Sequence, residues 1–350
     1  MDKKNVLVLF GGVSPEHEIS KISADNVIKS LPEEKYHVIP VYITQEGKWL
    51  LYDGTIDQIK NINWEKFGTP AVLSPDRVNQ GLLRIVGDKV KTIPVDVVFP
   101  VLHGENGEDG TIQGLCALAG IPCVGCGVLS SALCMNKDFM KTIAAQAGLP
   151  QAKYLTFANH ELEDMDETAK KVRYGLGYPC FVKPACAGSS IGITKARNKK
   201  ELVKGLKIAA SLGTKVVVEK AVVGREIECG VIGGPGDIQV SVAGEVVPGA
   251  EFYDYKDKYH SGLSKVIVPA PIPEECADLV RQMAYTIFKA VDGKGFARVD
   301  FFLDEDEHII FNEVNTVPGF TGSSLFAKAW EFSGLELPEL LDTLIEIALR

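Results

Sequence analysis

The chain has 350 residues, 46% of them hydrophobic and 24% charged, which exceeds what a single core needs and leads us to expect two or three domains. A formal net charge of −9 disfavours nucleic acid or an anionic membrane as the main partner, while leaving room for a local basic pocket. The eight cysteines (Cys116, Cys123, Cys126, Cys134, Cys180, Cys186, Cys229 and Cys276) stand singly in apolar surroundings. Cys123 and Cys126 form the only C-x-x-C, and without a second pair they support neither a zinc site nor a redox centre. Reduced, buried thiols of this kind fit a cytoplasmic protein. The apolar run Val6 to Phe10 is too short for a signal peptide or membrane span, and no other stretch reaches spanning length.

Val6 to Phe10 predicts a short buried strand running into Gly11-Gly12, with Ser14 as helix N-cap and Pro15 as first helical residue. There is no G-x-G-x-x-G, and Glu16 and Glu18 occupy the first turn, where a phosphate would need positive potential. Those acids suit an ammonium group, or equally a simple compensation of the helix dipole. A helix to about Leu31 and strands near Val38–Ile43 and Val95–Leu102 predict a parallel, doubly wound α/β first domain. The last of these strands ends in His103-Gly104-Glu105-Asn106-Gly107-Glu108-Asp109-Gly110, a glycine-rich loop where such sheets bind ligands.

Further on, Pro122 to Ser131 reads as a loop-and-strand connector before a helix carrying Asn136 to Lys141, and Ala158 to Leu176 as one polar surface helix. Tyr178 to Pro184 is a strand with Lys183 near its end, followed by the small-residue loop Gly188-Ser189-Ser190-Ile191-Gly192, whose backbone N–H groups can fold over phosphates. Thr214 to Lys220 is a buried strand, Glu226 follows a turn at Gly224, and Gly233 to Gly249 reads as a hairpin. Glu251 to His260, aromatic and charged without clean periodicity, reads as a mobile loop. Helices are expected over Glu274–Val291 and Leu337–Leu349.

The most informative stretch runs from Gly295 to Leu325. Two alternating apolar runs flank the acidic segment Asp304 to Glu307, which predicts a hairpin. Val299, Phe301 and Leu303 share one face; Arg298 and Asp300 share the other. Glu313 and Asn315, two apart, meet Asp300 if the strands pair in the simplest register. Two carboxylates and an amide oxygen make a hard, all-oxygen site suited to Mg2+ rather than zinc.

In their order along the chain these stretches resemble the D-alanine–D-alanine ligases and their vancomycin-resistance relatives, within the ATP-grasp superfamily. The resemblance rests on Gly11 to Ser20, His103 to Gly114, Lys183 to Gly192, Tyr253 to Tyr259, Ala297 to Asp300 and Asn312 to Thr321. It implies a doubly wound domain over 1–125 and an ATP-grasp fold of two α+β subdomains, 126–220 and 221–350. It further implies that Lys137 and Lys183 hold ATP phosphates, with Ser189 and Ser190 in the loop closing over them. Glu219 would meet the adenine amino group, the Lys220 to Val222 backbone the ring, and Glu226 the ribose. Asp300, Glu313 and Asn315 would hold two Mg2+ ions (Mn2+ as a substitute). Glu16 would take the ammonium of the first D-alanine, with His103 nearby. Arg298 and the Gly319 N–H would stabilise the tetrahedral oxyanion. Lys258 and Ser324 would hold the second substrate, and Tyr259 would link to Ser189 and Glu16. The reaction implied is ATP-driven acyl-phosphate formation followed by amine attack, by a cytoplasmic homodimer making D-alanyl-D-alanine for peptidoglycan.

The chain departs from the family pattern at Asn136, at Cys186-Ala187 and at Phe326-Ala327, none of which removes a proposed catalytic group. A D-alanine–D-serine ligase is the alternative, told apart by Tyr253 and Leu325. A D-lactate ligase is disfavoured by the intact Lys258-Tyr259. A catalytically silent ATP-grasp module would lack Arg298, Asp300, Glu313 or Asn315, and all four are present.

Overall fold

A computed structural model describes residues 3–52, 54, 63–188, 190–249 and 264–350. The expectations placed on Ser189, Tyr253, Lys258, Tyr259 and the loop 251–260 fall outside them. β1 (Lys4–Gly11), α1 (His17–Ser30) and β2 (Tyr36–Ile43) open the chain as a parallel unit. An antiparallel meander follows through β3 (Trp49–Leu51), α2 (Trp64–Phe67), β4 (Thr69–Leu73), β5 (Gly81–Val86) and β6 (Lys89–Pro94). β7 (Val97–Val101) then pairs with the free side of β1 in parallel, giving the order β6-β5-β4-β3-β2-β1-β7.

The expected parallel pattern is thus the β2-β1-β7 core, and the meander is an addition that the sequence reading did not contain. Its end strands give little signal, since β3 has three residues and β6 is almost wholly exposed, while the apolar β4 and β5 went unread. α3 (Thr111–Ala119) covers one face of the core through Ile112 and Cys116 against Leu7 and Leu9. The other face, Val6, Val8 and Phe10, meets Val27 of α1 and Leu341 of the chain's last helix. Alternation in β1 therefore fills two cores at once.

α4 (Val128–Met135) begins inside the stretch expected as connector; only Pro122 to Val124 runs alongside Val98 there. α5 (Lys137–Gln146) is capped by Asn136, whose side-chain oxygen accepts from the Asp138 and Phe139 N–H groups. β8 (Tyr154–Ala158) leads to a 3-10 turn over Asn159–Leu162 and then α6 (Met165–Gly175). The single helix expected here is split because Asp164 caps α6, accepting from Asp166 and Glu167 N–H groups. β9 (Cys180–Pro184), β10 (Thr194–Ala196), α7 (Lys199–Ala210) and β11 (Lys215–Lys220) complete a four-stranded antiparallel sheet, β10-β9-β11-β8.

β12 (Arg225–Gly233), β13 (Gln239–Val247), β14 (Lys265–Ile267), α8 (Glu274–Ala290), β15 (Gly295–Leu303), β16 (Ile309–Asn315), α9 (Leu325–Phe332) and α10 (Leu337–Leu349) form the rest. Their sheet runs β14-β13-β12-β15-β16. Gly233 to Gly249 supplies a turn and one strand pairing back on β12, rather than a hairpin of its own. Cys276, Val280, Met283, Ala284 and Ile287 of α8 make one apolar stripe, buried with Val299, Phe301 and Phe311 of the sheet. Among the cysteines, Cys186 is exposed and Cys123 half-buried, against the expectation that all eight are buried.

Candidate active site

The four-stranded and five-stranded sheets face each other across a cleft of ≈ 560 Å3, one end of which is lined by Glu16, His103 and Glu108 of the first domain. Ser14 makes a turn instead of the cap expected of it. Its hydroxyl accepts from the Glu16 N–H at 3.1 Å and its carbonyl from the His17 N–H at 3.1 Å, so α1 starts at His17. Glu16 is left in the turn, 5% exposed, with its carboxylate toward the cleft. A Cβ on Gly104, whose φ is +68°, would lie 2.8 Å from the Ser14 Oγ and 2.9 Å from the Glu16 Oε2. On Gly188 it would lie 3.2 Å from the same Oε2, so loops from two sheets meet on this carboxylate.

His103 is buried, its Nδ1 donating to the Val317 carbonyl at 2.9 Å, and burial lowers its pKa. That bond fixes the proton on Nδ1 of the neutral ring. Glu108 was not singled out from sequence. Its Oε2 accepts from the Gly104 N–H at 2.7 Å and its Oε1 from the Val317 N–H at 3.2 Å. Burial, followed by the charge of Glu16, pushes its pKa up to about 8. The raised value means the folded protein holds a proton that the unfolded chain releases. Stability therefore falls as pH rises from the ordinary carboxylate range through about 8, and is flat beyond. Glu108→Gln keeps an acceptor and cannot ionise, so its thermal midpoint should exceed the wild type's by a margin that widens from pH 5 to pH 8. A constant margin across that range would remove the shift.

Lys137 donates to the Ala187 carbonyl at 2.8 Å, at the root of the glycine-serine loop, and lies 3.7 Å from Glu313. Lys183 donates to the Glu219 Oε2 at 2.9 Å. Lys141, placed on its helix by the sequence but not singled out as a site residue, lies 3.3 Å from the Glu219 Oε1. Burial works to raise the Glu219 pKa, but Lys183 and Lys141 prevail and hold it at about 2. Ser190 (φ +58°), Lys220, Val222 and Glu226 line the same part of the cleft.

In the hairpin, Arg298 stands opposite Asn315 and Asp300 opposite Glu313, the register expected from alternation. Asp300 accepts from Nε and Nη2 of Arg298, each at 2.8 Å, and from the Asn315 Nδ2 at 2.8 Å. Glu228, across the sheet from Asp300 on β12, lies 2.9 Å from the Arg298 Nε and was likewise missed. Burial opposes the charge on Arg298, yet Asp300 and Glu228 raise its pKa well above the ordinary value. Three carboxylates (Glu228, Asp300, Glu313) thus gather beside Arg298 and Lys137, an oxygen-rich donor set without thiol or imidazole. That chemistry fits Mg2+, to which Asn315 would offer its amide oxygen once its Nδ2, donating to Asp300 here, is released. At the far end Gly319, Ser324 and Leu325 line the cleft. The Ser324 Oγ accepts from the Thr321 N–H at 3.0 Å at the opening of α9, and Leu325 packs on Val246 and Ala329.

Two sheets clamping a cleft beneath a glycine-serine loop define the ATP-grasp class, and solved structures of that class match the whole chain. The VanG D-Ala:D-Ser ligase of Enterococcus faecalis superposes with a TM-score of 0.89 at 41% identity, covering 99% of this chain and 100% of that one. The D-alanine-D-alanine ligase of Coxiella burnetii gives 0.86 at 32% identity, covering 100% and 94%. In sequence, a D-alanine–D-alanine ligase of a Thermoanaerobacter species is 48% identical over 352 residues, covering 100% of this chain and 98% of the relative. One from Caldicellulosiruptor bescii is 46% identical over 352 residues, covering 100% and 96%. The D-ala D-ala ligase N-terminus family matches residues 5–126 and the C-terminus family residues 143–346. This chain belongs to the D-alanine–D-alanine ligase family.

Proposed function

We propose that the chain is an ATP-dependent D-alanine–D-alanine ligase that makes the dipeptide for peptidoglycan. The observation that carries this is the gathering in one cleft of the Glu16 carboxylate, the lysines Lys137 and Lys183, and the Arg298–Asp300–Glu313–Asn315 face. Glu16 takes the ammonium of the first D-alanine, with His103 neutral beside it. Lys137 and Lys183 draw the triphosphate under the loop that holds Ser189 and Ser190, while Glu219, Lys220, Val222 and Glu226 hold the nucleoside. Asp300, Glu313 and Asn315 would hold Mg2+, which when bound would supply charge neutralisation for the transferring phosphoryl group. The acyl phosphate so formed is attacked by the second amine, and Arg298 with the Gly319 N–H meets the developing oxyanion. Ser324, at the positive end of α9, and Lys258 take the second carboxylate. Tyr259, with Ser189 and Glu16, closes the site against water, which would hydrolyse the acyl phosphate. The segments 1–125, 126–220 and 221–350 are its doubly wound domain and two ATP-grasp subdomains, in a cytoplasmic homodimer. In support, no helix among the described residues is long and apolar enough to cross a membrane; sedimentation tests the dimer.

The second reading, a D-alanine–D-serine ligase, draws on the VanG likeness. Leu325 favours D-alanine: 4% exposed and packed on apolar neighbours, it offers a serine hydroxyl no partner. Burying that hydroxyl unpaired costs ~1–3 kcal/mol, roughly 10- to 100-fold in selection. With equal D-alanine and D-serine, product mass should show mainly D-alanyl-D-alanine, and ADP release should occur with D-alanine alone. Tyr253→Phe with Leu325→Arg should move the product toward D-alanyl-D-serine. Mostly mixed dipeptide from the wild type would favour the second reading; no ADP release with either amino acid would end both.

A further inference from the structure

Lys137 and Lys141 stand four residues apart on α5 and so share one helix face. Their surroundings differ. Lys137 lines the cleft beside the phosphate loop. Lys141 is 1% exposed, sealed behind Glu219 at 3.3 Å, with its ammonium 5.4 Å from the Tyr154 ring centroid. Glu219 thereby carries one lysine on each oxygen: Lys183 on Oε2 at 2.9 Å and Lys141 on Oε1.

The two lysines are not equivalent. Lys183 lines the cleft and precedes the glycine-serine loop, so a triphosphate drawn under that loop competes with Glu219 for its ammonium. Lys141 has no path to the phosphates and stays. We propose that Lys141 is a specificity-determining positioning residue, the retained cation that keeps Glu219 an ionised acceptor for the nucleobase once Lys183 is engaged by phosphate. The inference rests on the proposed placement of adenine at Glu219. An ionised carboxylate only accepts hydrogen bonds, so it favours a base with an exocyclic amino group and rejects one with a carbonyl oxygen there. Without Lys141, a buried carboxylate deprived of its remaining cation takes up a proton. It then donates, and a carbonyl-bearing base becomes acceptable.

The test is the ratio of kcat/KM for ATP to that for ITP, which carries a carbonyl oxygen where ATP carries the amino group, measured for wild type, Lys141→Met, Lys141→Gln and Lys141→Arg. The wild type should prefer ATP at least ~10-fold. The ratio should fall at least ~10-fold in Lys141→Met and in Lys141→Gln, which is uncharged but can still donate to Glu219, and should return in Lys141→Arg. If Lys141→Met does not fold, Lys141→Gln reads the same ratio. A folded Met or Gln variant that loses activity on both nucleotides equally, with its ratio unchanged, overturns the proposal and leaves a packing role. A wild type indifferent between ATP and ITP removes the adenine placement itself, and the proposal with it.

Discussion

Glu313→Gln should abolish ATP turnover at ordinary magnesium while leaving the fold intact. Glu313 sits opposite Asp300 on the hairpin face, half-buried, with Lys137 3.7 Å away. Glutamine keeps the size and one acceptor oxygen but removes a charge, and a small hard cation depends on anionic oxygen more than on shape. The carboxylates beside Lys137 and Arg298 drop from three to two, which weakens the negative potential a divalent cation would need. Phosphoryl transfer depends almost wholly on positioning and charge neutralisation, which makes the loss large. The check is Mn2+ binding followed by paramagnetic resonance with a non-hydrolysable ATP analogue, beside steady-state ADP release. A folded variant with near-normal Mn2+ affinity and turnover would remove the metal assignment. Partial recovery at high Mg2+ is the expected companion result.

The hairpin was legible because period-two alternation fixes which side chains share a face, and it set Arg298 opposite Asn315 and Asp300 opposite Glu313; the shift of register between Asp300 and Phe301, which pairs Phe301 with Phe311, left no mark in the pattern. The helix and strand carrying Lys137 and Lys183 were legible from local patterns too, whereas Glu16, read in the first helical turn, lies in the turn before α1. Glu108, Glu228 and Lys141 were missed for a different reason: each acts through a partner distant in sequence. Glu108 is held by Val317, Glu228 by Arg298 and Lys141 by Glu219. Weak signals did exist. Glu226 and Glu228 are two apart on one strand, so a ribose-side Glu226 already placed Glu228 on the same face. Lys141 lies one turn from Lys137. What no local pattern supplied was burial, and burial is what turns these charges from solvated surface into a site. The meander β3 to β6 failed for the opposite reason: its end strands are short or exposed, so hydrophobic periodicity has little to register there.

Arg298→Lys should lower dipeptide formation ~100- to 1000-fold, the usual cost of one oxyanion donor, while sparing the step before it. The substitution keeps the charge that Asp300 and Glu228 require, so no buried carboxylate is stranded and the fold should survive. What it loses is the planar fork. Arg298 gives Nε and Nη2 to Asp300 at 2.8 Å each, and Glu228 lies 2.9 Å from the same Nε. That arrangement locks the guanidinium plane of a residue that lines the cleft. A lysine ammonium, a flexible point charge, settles between the two carboxylates and presents no fixed donor to a developing oxyanion. Phosphoryl transfer to the first D-alanine is read separately, by oxygen scrambling between the bridging and non-bridging positions of labelled ATP recovered during turnover with D-alanine, compared with the dipeptide formed in the same reaction. Scrambling should stay within about tenfold of wild type while dipeptide formation falls by the full ~100-fold or more. If both fall together, Arg298 serves the phosphoryl transfer instead. If neither falls, the bidentate pair is structural, and the oxyanion rests on the Gly319 N–H alone.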